Sequence, residues 1–137
     1  MRLINDIDEL LQMAGLPESA SLKFVAQNKE LARLGDAYLN FIFSLMLSIR
    51  DSRPSGLKVS NRVLSLAFKS AGLRPLLPKR VSRHEIGGAV EALILFAVAN
   101  RIVTSREIID SLRENDEVAA LASLLSRIKE RWPSRGD

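Results

Sequence analysis

An all-α domain of six or seven helices is what this sequence predicts, and three observations predict it. Apolar residues recur at spacings of three and four through most of the chain. No run alternates with period two for long enough to make a strand. Cap and stop residues fall where each apolar stripe begins and ends. The 137 residues, 47% hydrophobic and 26% charged, can bury the core of one domain spanning 1–137, and the seven Gly and five Pro form no linker that would divide it.

A first helix is expected from about Leu3 to Ala14, with Leu3, Ile7, Leu10, Leu11 and Ala14 on one stripe and Gly15 and Pro17 as the stop. Ser19 or Ser21 would cap a second segment containing Leu22, Phe24, Val25 and Ala26. A third helix carries Leu31, Leu34, Ala37, Tyr38 and Phe41 through to Ile49, ending before the turn sequence Asp51-Ser52-Arg53-Pro54-Ser55-Gly56. The fourth runs from about Ser60 to Ala71 and closes at Gly72. Pro75 and Pro78 then keep the stretch from Leu73 to Arg80 extended or turned. Ser82, with Glu85 three residues on, is a capping box for a fifth helix reaching about Arg101. Thr104 begins a sixth, and Asn115 or Asp116 a seventh that ends at Trp132-Pro133.

Several classes of function drop out at this level. The chain has no Cys, so it holds neither disulfides nor thiolate metal sites, which fits a reducing compartment; a cytoplasmic location is expected. Met1 to Asp6 turns acidic at once and does not read as a signal peptide. The most apolar stretches, Tyr38 to Ile49 and Ala89 to Val103, fall short of the roughly 20 residues that a membrane span needs, and Asn40, Glu91 and Asn100 interrupt them. They read as buried core helices. The net charge of +4 and pI of about 9.9 favour, weakly, a polyanionic partner such as nucleic acid.

Two acids stand out. On the third helix Lys29, Ala32, Asp36 and Asn40 share one face, and Asp36 sits in the otherwise apolar run Leu34-Gly35-Asp36-Ala37-Tyr38-Leu39. A carboxylate there needs a counter-charge, a cap or a metal. Gly35 costs about 1 kcal/mol of helix propensity, which points to a close approach by another helix. On the fifth helix His84, Gly88 and Glu91 share a face, and Glu91 precedes the apolar run Ala92 to Val98. Gly87-Gly88 again places small residues before the acid. Two such helices can meet and present Asp36 and Glu91 to one hard cation such as Mg²⁺. Equally, each acid can cap a neighbouring helix or pair with Arg33, Lys58 or Arg62. Glu30 and Glu85 lie off the two stripes and read as surface acids; His84, alone before a helix, reads as a capping or packing residue.

The stretch Asn28-Lys29-Glu30-Leu31-Ala32-Arg33-Leu34-Gly35-Asp36-Ala37-Tyr38-Leu39 resembles the signature helix of ribonuclease III catalytic domains. Leu57 to Leu73 resembles that family's middle helix, and Gly88-Ala89-Val90-Glu91-Ala92-Leu93-Ile94 its second acidic motif, in the same order. The resemblance covers roughly Asn28 to Leu112. The family's four metal-site carboxylates correspond here to Ala32, Asp36, Gly88 and Glu91, so that two of the four remain acidic, and Arg33 stands where the signature has Phe. The same two-acid pattern resembles the compact Mini branch of the family, which lacks a double-stranded-RNA-binding domain.

The resemblance implies a helical ribonuclease III-like endonuclease domain that hydrolyses double-stranded or structured RNA with Mg²⁺ or Mn²⁺, Asp36 and Glu91 being the catalytic and metal-holding residues. It also implies a two-fold homodimer, for which the multi-sided apolar surface of Leu39, Phe41, Ile42, Phe43, Leu45, Met46 and Leu47 is independent support. Arg74, Lys79, Arg80 and Arg83 lead into the fifth helix and are the expected RNA contacts; Arg127, Lys129, Arg131 and Arg135 form a second basic group in the tail. The rivals are a non-catalytic RNA-binding or scaffold homodimer that keeps the fold, and a purely structural helical interaction protein.

Overall fold

A computed structural model describes residues 7–114 and 116–133. Among these residues there are seven α-helices, one 3-10 turn and no strand: α1 (Ile7–Leu11), α2 (Leu22–Ala26), α3 (Lys29–Asp51), α4 (Asn61–Ser70), the 3-10 turn Arg74–Leu76, α5 (Arg83–Ala99), α6 (Ser105–Glu114) and α7 (Glu117–Arg131). None of these helices is long and apolar enough to cross a membrane.

The caps are local chemistry. Ser21, Asn28, Ser60 and Asp116 each accept a backbone N–H from the residue three positions on, satisfying a donor that the helix start leaves without a partner. Ser82 and Glu85 form the full reciprocal capping box of α5. Thr104 and Glu107 exchange the same pair of bonds at the start of α6. At the other ends, Gly15 and Gly72 take the left-handed φ values of 79° and 75° that turn the chain out of α1 and α4.

α5 is the axis of the fold. It is buried on every side from Ala89 to Ala99, and α1, α2, α3, α4 and α7 all pack against it, α3 most extensively. A helix apolar all round is stable only when surrounded in this way. α6 and α7 close one end of the bundle. Trp132, just after α7, ties it to α5 and to the segment before α2, stacking on Phe96 at 4.7 Å and donating its indole N–H to the Ala20 carbonyl at 3.0 Å.

The first helix departs from expectation. Within the described residues it spans only Ile7–Leu11, followed by hydrogen-bonded turns through Ala14; Leu3 lies outside them. Ile7, Leu10 and Ala14 are exposed, and only Leu11 of the expected stripe packs on the core. Five residues make little more than one turn and cannot bury a whole stripe. Polar bonds hold this helix instead. Asp8 accepts both the backbone N–H and the hydroxyl of Ser105, and Ser105 in turn receives the Tyr38 phenol at 2.6 Å. The expected alternatives for Asn115 and Asp116 resolve on Asp116 as the α7 cap, Asn115 lying outside the described residues.

Candidate active site

Gly35 is where α3 and α5 touch. A Cβ there would land on the Glu91 carbonyl, 2.6 Å from its carbon, so only glycine permits the approach. One turn back along α3, Ala32 faces Gly88 across the same contact, a Cβ on Gly88 lying 3.4 Å from that of Ala32. The close approach expected from Gly35 is therefore real. Its consequence is that the residue after Gly35 and the residue whose backbone it touches, Asp36 and Glu91, bring their carboxyl groups into hydrogen-bonding reach.

The two acids have different surroundings. Glu91 is 9% exposed and Asp36, by its side chain, 45% exposed, so Glu91 forms the inner wall and Asp36 the mouth. Burial, and then the hydrogen bond and charge of Asp36, push the Glu91 carboxyl up to about 8, so near neutrality it holds its proton and donates to Asp36. Burial acts on Asp36 in the raising direction too. The bond from Glu91, the Lys58 ammonium and the Asn40 amide outweigh it and hold Asp36 below its ordinary range. Lys58 Nζ lies 3.5 Å from Asp36 Oδ1, and Asn40 Nδ2 donates to the same oxygen at 3.0 Å.

The structure brings the two acids together and gives one of them, Asp36, a cation partner, Lys58, one of the three named cations. Sequence reasoning missed how Lys58 is delivered. Its signal was the continuation of the Asp36–Asn40 stripe by Ser44 and Ser48, four polar side chains spaced by four along one face of α3.

As a donor set the pair suits a hard cation. It offers carboxyl oxygens, with Glu91 raised by burial first and then by Asp36, and only an exposed ammonium pairs with Asp36. Among the described residues no group of three or more His, Cys, Asp or Glu comes together to form a fuller cage. Mg²⁺ accepts such a site, since it keeps several waters and binds through one or two carboxylates plus phosphate oxygens. The acids line neither of two surface recesses, one of about 600 Å³ beside Phe24 and Lys29 and one of about 270 Å³ beside Asn100 and Arg101. Asp36 is instead reached directly from solvent.

The basic residues fall into two kinds. The Arg74 guanidinium is spent on its own loop, donating to the carbonyls of Leu77, Pro78 and Lys79 at 3.3, 2.9 and 2.9 Å. It shapes the segment in which Lys79, Arg80 and Arg83 stand exposed. Arg83 opens α5, eight residues and about 12 Å along the helix axis from Glu91. In the tail, Arg127 and Arg131 both bind Glu107 at 3.0 Å and so join α6 to α7; Lys129 is exposed, and Arg135 lies outside the described residues. His84 is exposed, with Nδ1 3.5 Å from the Asn61 amide. Glu30 and Glu85 are exposed surface acids.

Among the described residues, then, the domain is all-helical, and its two longest helices cross on a glycine and present a carboxyl pair beside an exposed lysine. Residues 29–133 match the ribonuclease III family. The chain belongs to that family, as a compact ribonuclease III-like domain, and membership supports an RNA-cleaving function in general. No curated protein matches the chain at a significant level.

Proposed function

We propose that this protein is a metal-dependent endoribonuclease that hydrolyses phosphodiester bonds of double-stranded or structured RNA. The observation that carries the reading is the convergence of Asp36 and Glu91 across the Gly35 contact, on two helices that both lie within the family match. Asp36 and Glu91 would hold Mg²⁺ or Mn²⁺, which when bound supplies an activated water and positive charge for the phosphoryl oxygens and the leaving 3′ oxygen. The chain's own residues do the rest. Asn40 and Lys58 hold Asp36 ionised and oriented, and burial keeps Glu91 in one place. Lys79, Arg80 and Arg83 meet the phosphates of the duplex, and Arg74 fixes the loop that presents them.

The active form we propose is a two-fold homodimer. α3 has a face that the monomer leaves uncovered, with Leu34, Ala37, Phe41 and Ile49 exposed at helical spacing, Phe41 by 51%. A monomeric mass by light scattering at micromolar concentration would remove this part of the reading.

A second reading, a non-catalytic RNA-binding homodimer, draws support from a specific observation. The family's other two acid positions are Ala32 and Gly88, packed against one another. A gel assay of purified protein on long duplex RNA, with and without Mg²⁺ or Mn²⁺, separates the two. Cleavage that requires the metal supports the nuclease; binding that ignores the metal, with the duplex left whole, supports the rival.

A further inference from the structure

The segment that returns from α3 to α4 is fastened residue by residue. Ser48 accepts the Ser55 N–H at 2.8 Å and donates to the Ser55 carbonyl at 3.3 Å. Ser44 does the same to Leu57, at 2.8 and 3.2 Å. Asn40 accepts the Val59 N–H at 2.7 Å. The three α3 side chains stand four residues apart, and the next member of the series is Asp36. Lys58 lies between the last two fastened residues, and its ammonium arrives 3.5 Å from Asp36. Asn40 therefore holds the acid with its amide nitrogen and, with its amide oxygen, the backbone beside the lysine.

The ion pair at the end of this construction adds little to stability. Lys58 is 76% exposed, and ion pairs in such solvent contact contribute little to folding. Five hydrogen bonds place a cation that adds almost nothing to the fold. The same cation stands next to a site where two carboxylates of the family pattern are replaced by Ala32 and Gly88, and where fewer protein charges are available to gather metal.

We propose that Lys58 is a contact to the reacting phosphate: its ammonium turns from Asp36 to a non-bridging oxygen of the RNA phosphate under attack and supplies positive charge in the transition state. The proposal rests on the nuclease reading above. In the hydrolysis a water oxygen bonds to phosphorus and the bond from phosphorus to the 3′ oxygen breaks. One proton of the water passes to solvent and the 3′ oxygen takes up another, so atoms and charge balance. Negative charge is greatest around phosphorus midway through that exchange, and a fixed ammonium there acts more on the transition state than on the ground state. Lysine suits the task as a compact charge with three donors on a flexible stem, able to leave Asp36 and reach the phosphate.

The test compares the full chain with Lys58→Met and Lys58→Arg on long duplex RNA. With Mg²⁺ and saturating RNA, Lys58→Met should slow single-turnover cleavage about 100-fold, with the affinity for RNA changed by less than about 3-fold. Lys58→Arg should recover a substantial part of the rate, and all three proteins should melt together. Without metal, in EDTA, the salt dependence of duplex binding should flatten by about one counterion in Lys58→Met. An active wild type with an equally active Lys58→Met overturns this proposal alone, as does an unchanged salt slope. A slow Lys58→Met that also melts early, and recovers after correction for its folded fraction, assigns the lysine to structure. A wild type that leaves the duplex whole overturns the nuclease reading and this proposal with it.

Discussion

Two places in this molecule bring charged side chains together between helices, and they are balanced differently. At the α6–α7 end, Glu107 receives Arg127 at 3.0 Å, Arg131 at 3.0 Å and the Thr104 N–H at 3.3 Å; one acid is met by two cations and a cap. At the α3–α5 crossing, two acids meet each other, and the nearest cation is a solvent-exposed lysine. The first arrangement ties two helices together through ion pairs. The second buries a carboxyl that burial and a neighbouring acid push up to about 8, at the point where a glycine brings two helices closest. A buried acid so raised, beside an accessible second acid, is a mark of a site rather than of a scaffold.

The comparison can be broken most directly at the acids. Asp36→Asn and Glu91→Gln keep shape and remove the charge that a hard cation needs, and each should lower metal-dependent cleavage by about 1000-fold or more, equivalent to about 4 kcal/mol in the transition state. Duplex binding should hardly change, and without metal the Tm of Glu91→Gln should be no lower than that of the wild type. If either variant melts early yet cuts normally per folded molecule, the α3–α5 pair is as structural as the α6–α7 one.

Gly35→Ala comes next. Its methyl group meets the Glu91 backbone rather than a side chain that can swing away, so α3 and α5 must part. A loss of about 3 kcal/mol is expected, read as a drop of roughly 10 °C in Tm, together with loss of cleavage as the acids separate. An unaltered melting curve would show that the crossing is looser than described.

Glu107→Gln tests the balanced end. It leaves Arg127 and Arg131 facing a neutral amide, and should cost about 1–2 kcal/mol by denaturant unfolding while cleavage per folded molecule stays unchanged. An equal loss of activity would erase the contrast between the two ends.

A gradual effect, spread over several pH units, comes from Glu91. In the folded chain Glu91 keeps its proton up to about 8, against 4.5 for an ordinary glutamate, so between those values the folded state binds more protons than the unfolded one. The stabilisation from this group is complete below about 4.5 and is lost as pH rises through about 8. Asp36 works in the opposite sense: its lowered value gives stability above its ordinary 3.8 that is lost as pH falls below it. Without metal, Tm should therefore decline across the Glu91 window, by at most about 4 °C per pH unit, and Glu91→Gln should flatten the decline. Equal slopes in wild type and variant would mean that the Glu91 carboxyl is not raised in the folded chain. Metal binding, which needs the ionised acids, should strengthen across the same range.

Much of this could be read before any fold was known. Ser21, Ser60, the Ser82–Glu85 box and Asp116 cap the helices that their positions announced, because a cap acts within three residues of itself. Asp36 and Glu91 were marked by the cost of placing a carboxylate in an apolar helix, and Gly35 by the cost of placing a glycine in any helix. These are penalties of local chemistry, so the sequence carries them openly.

Tertiary structure decided which charges meet. Nothing near Arg74 in the chain announces that its guanidinium closes its own loop, nor that Arg127 and Arg131 are taken up by Glu107. Lys58 reaches Asp36 because the path back from α3 is pinned by Asn40, Ser44 and Ser48, and Ile7 and Leu10 stay exposed because α1 is too short to bury them. Helix geometry relates residues three or four apart whatever surrounds them. The pairing of side chains across elements depends on where a loop runs and how two helices cross, and those follow from the packing of the whole core around α5.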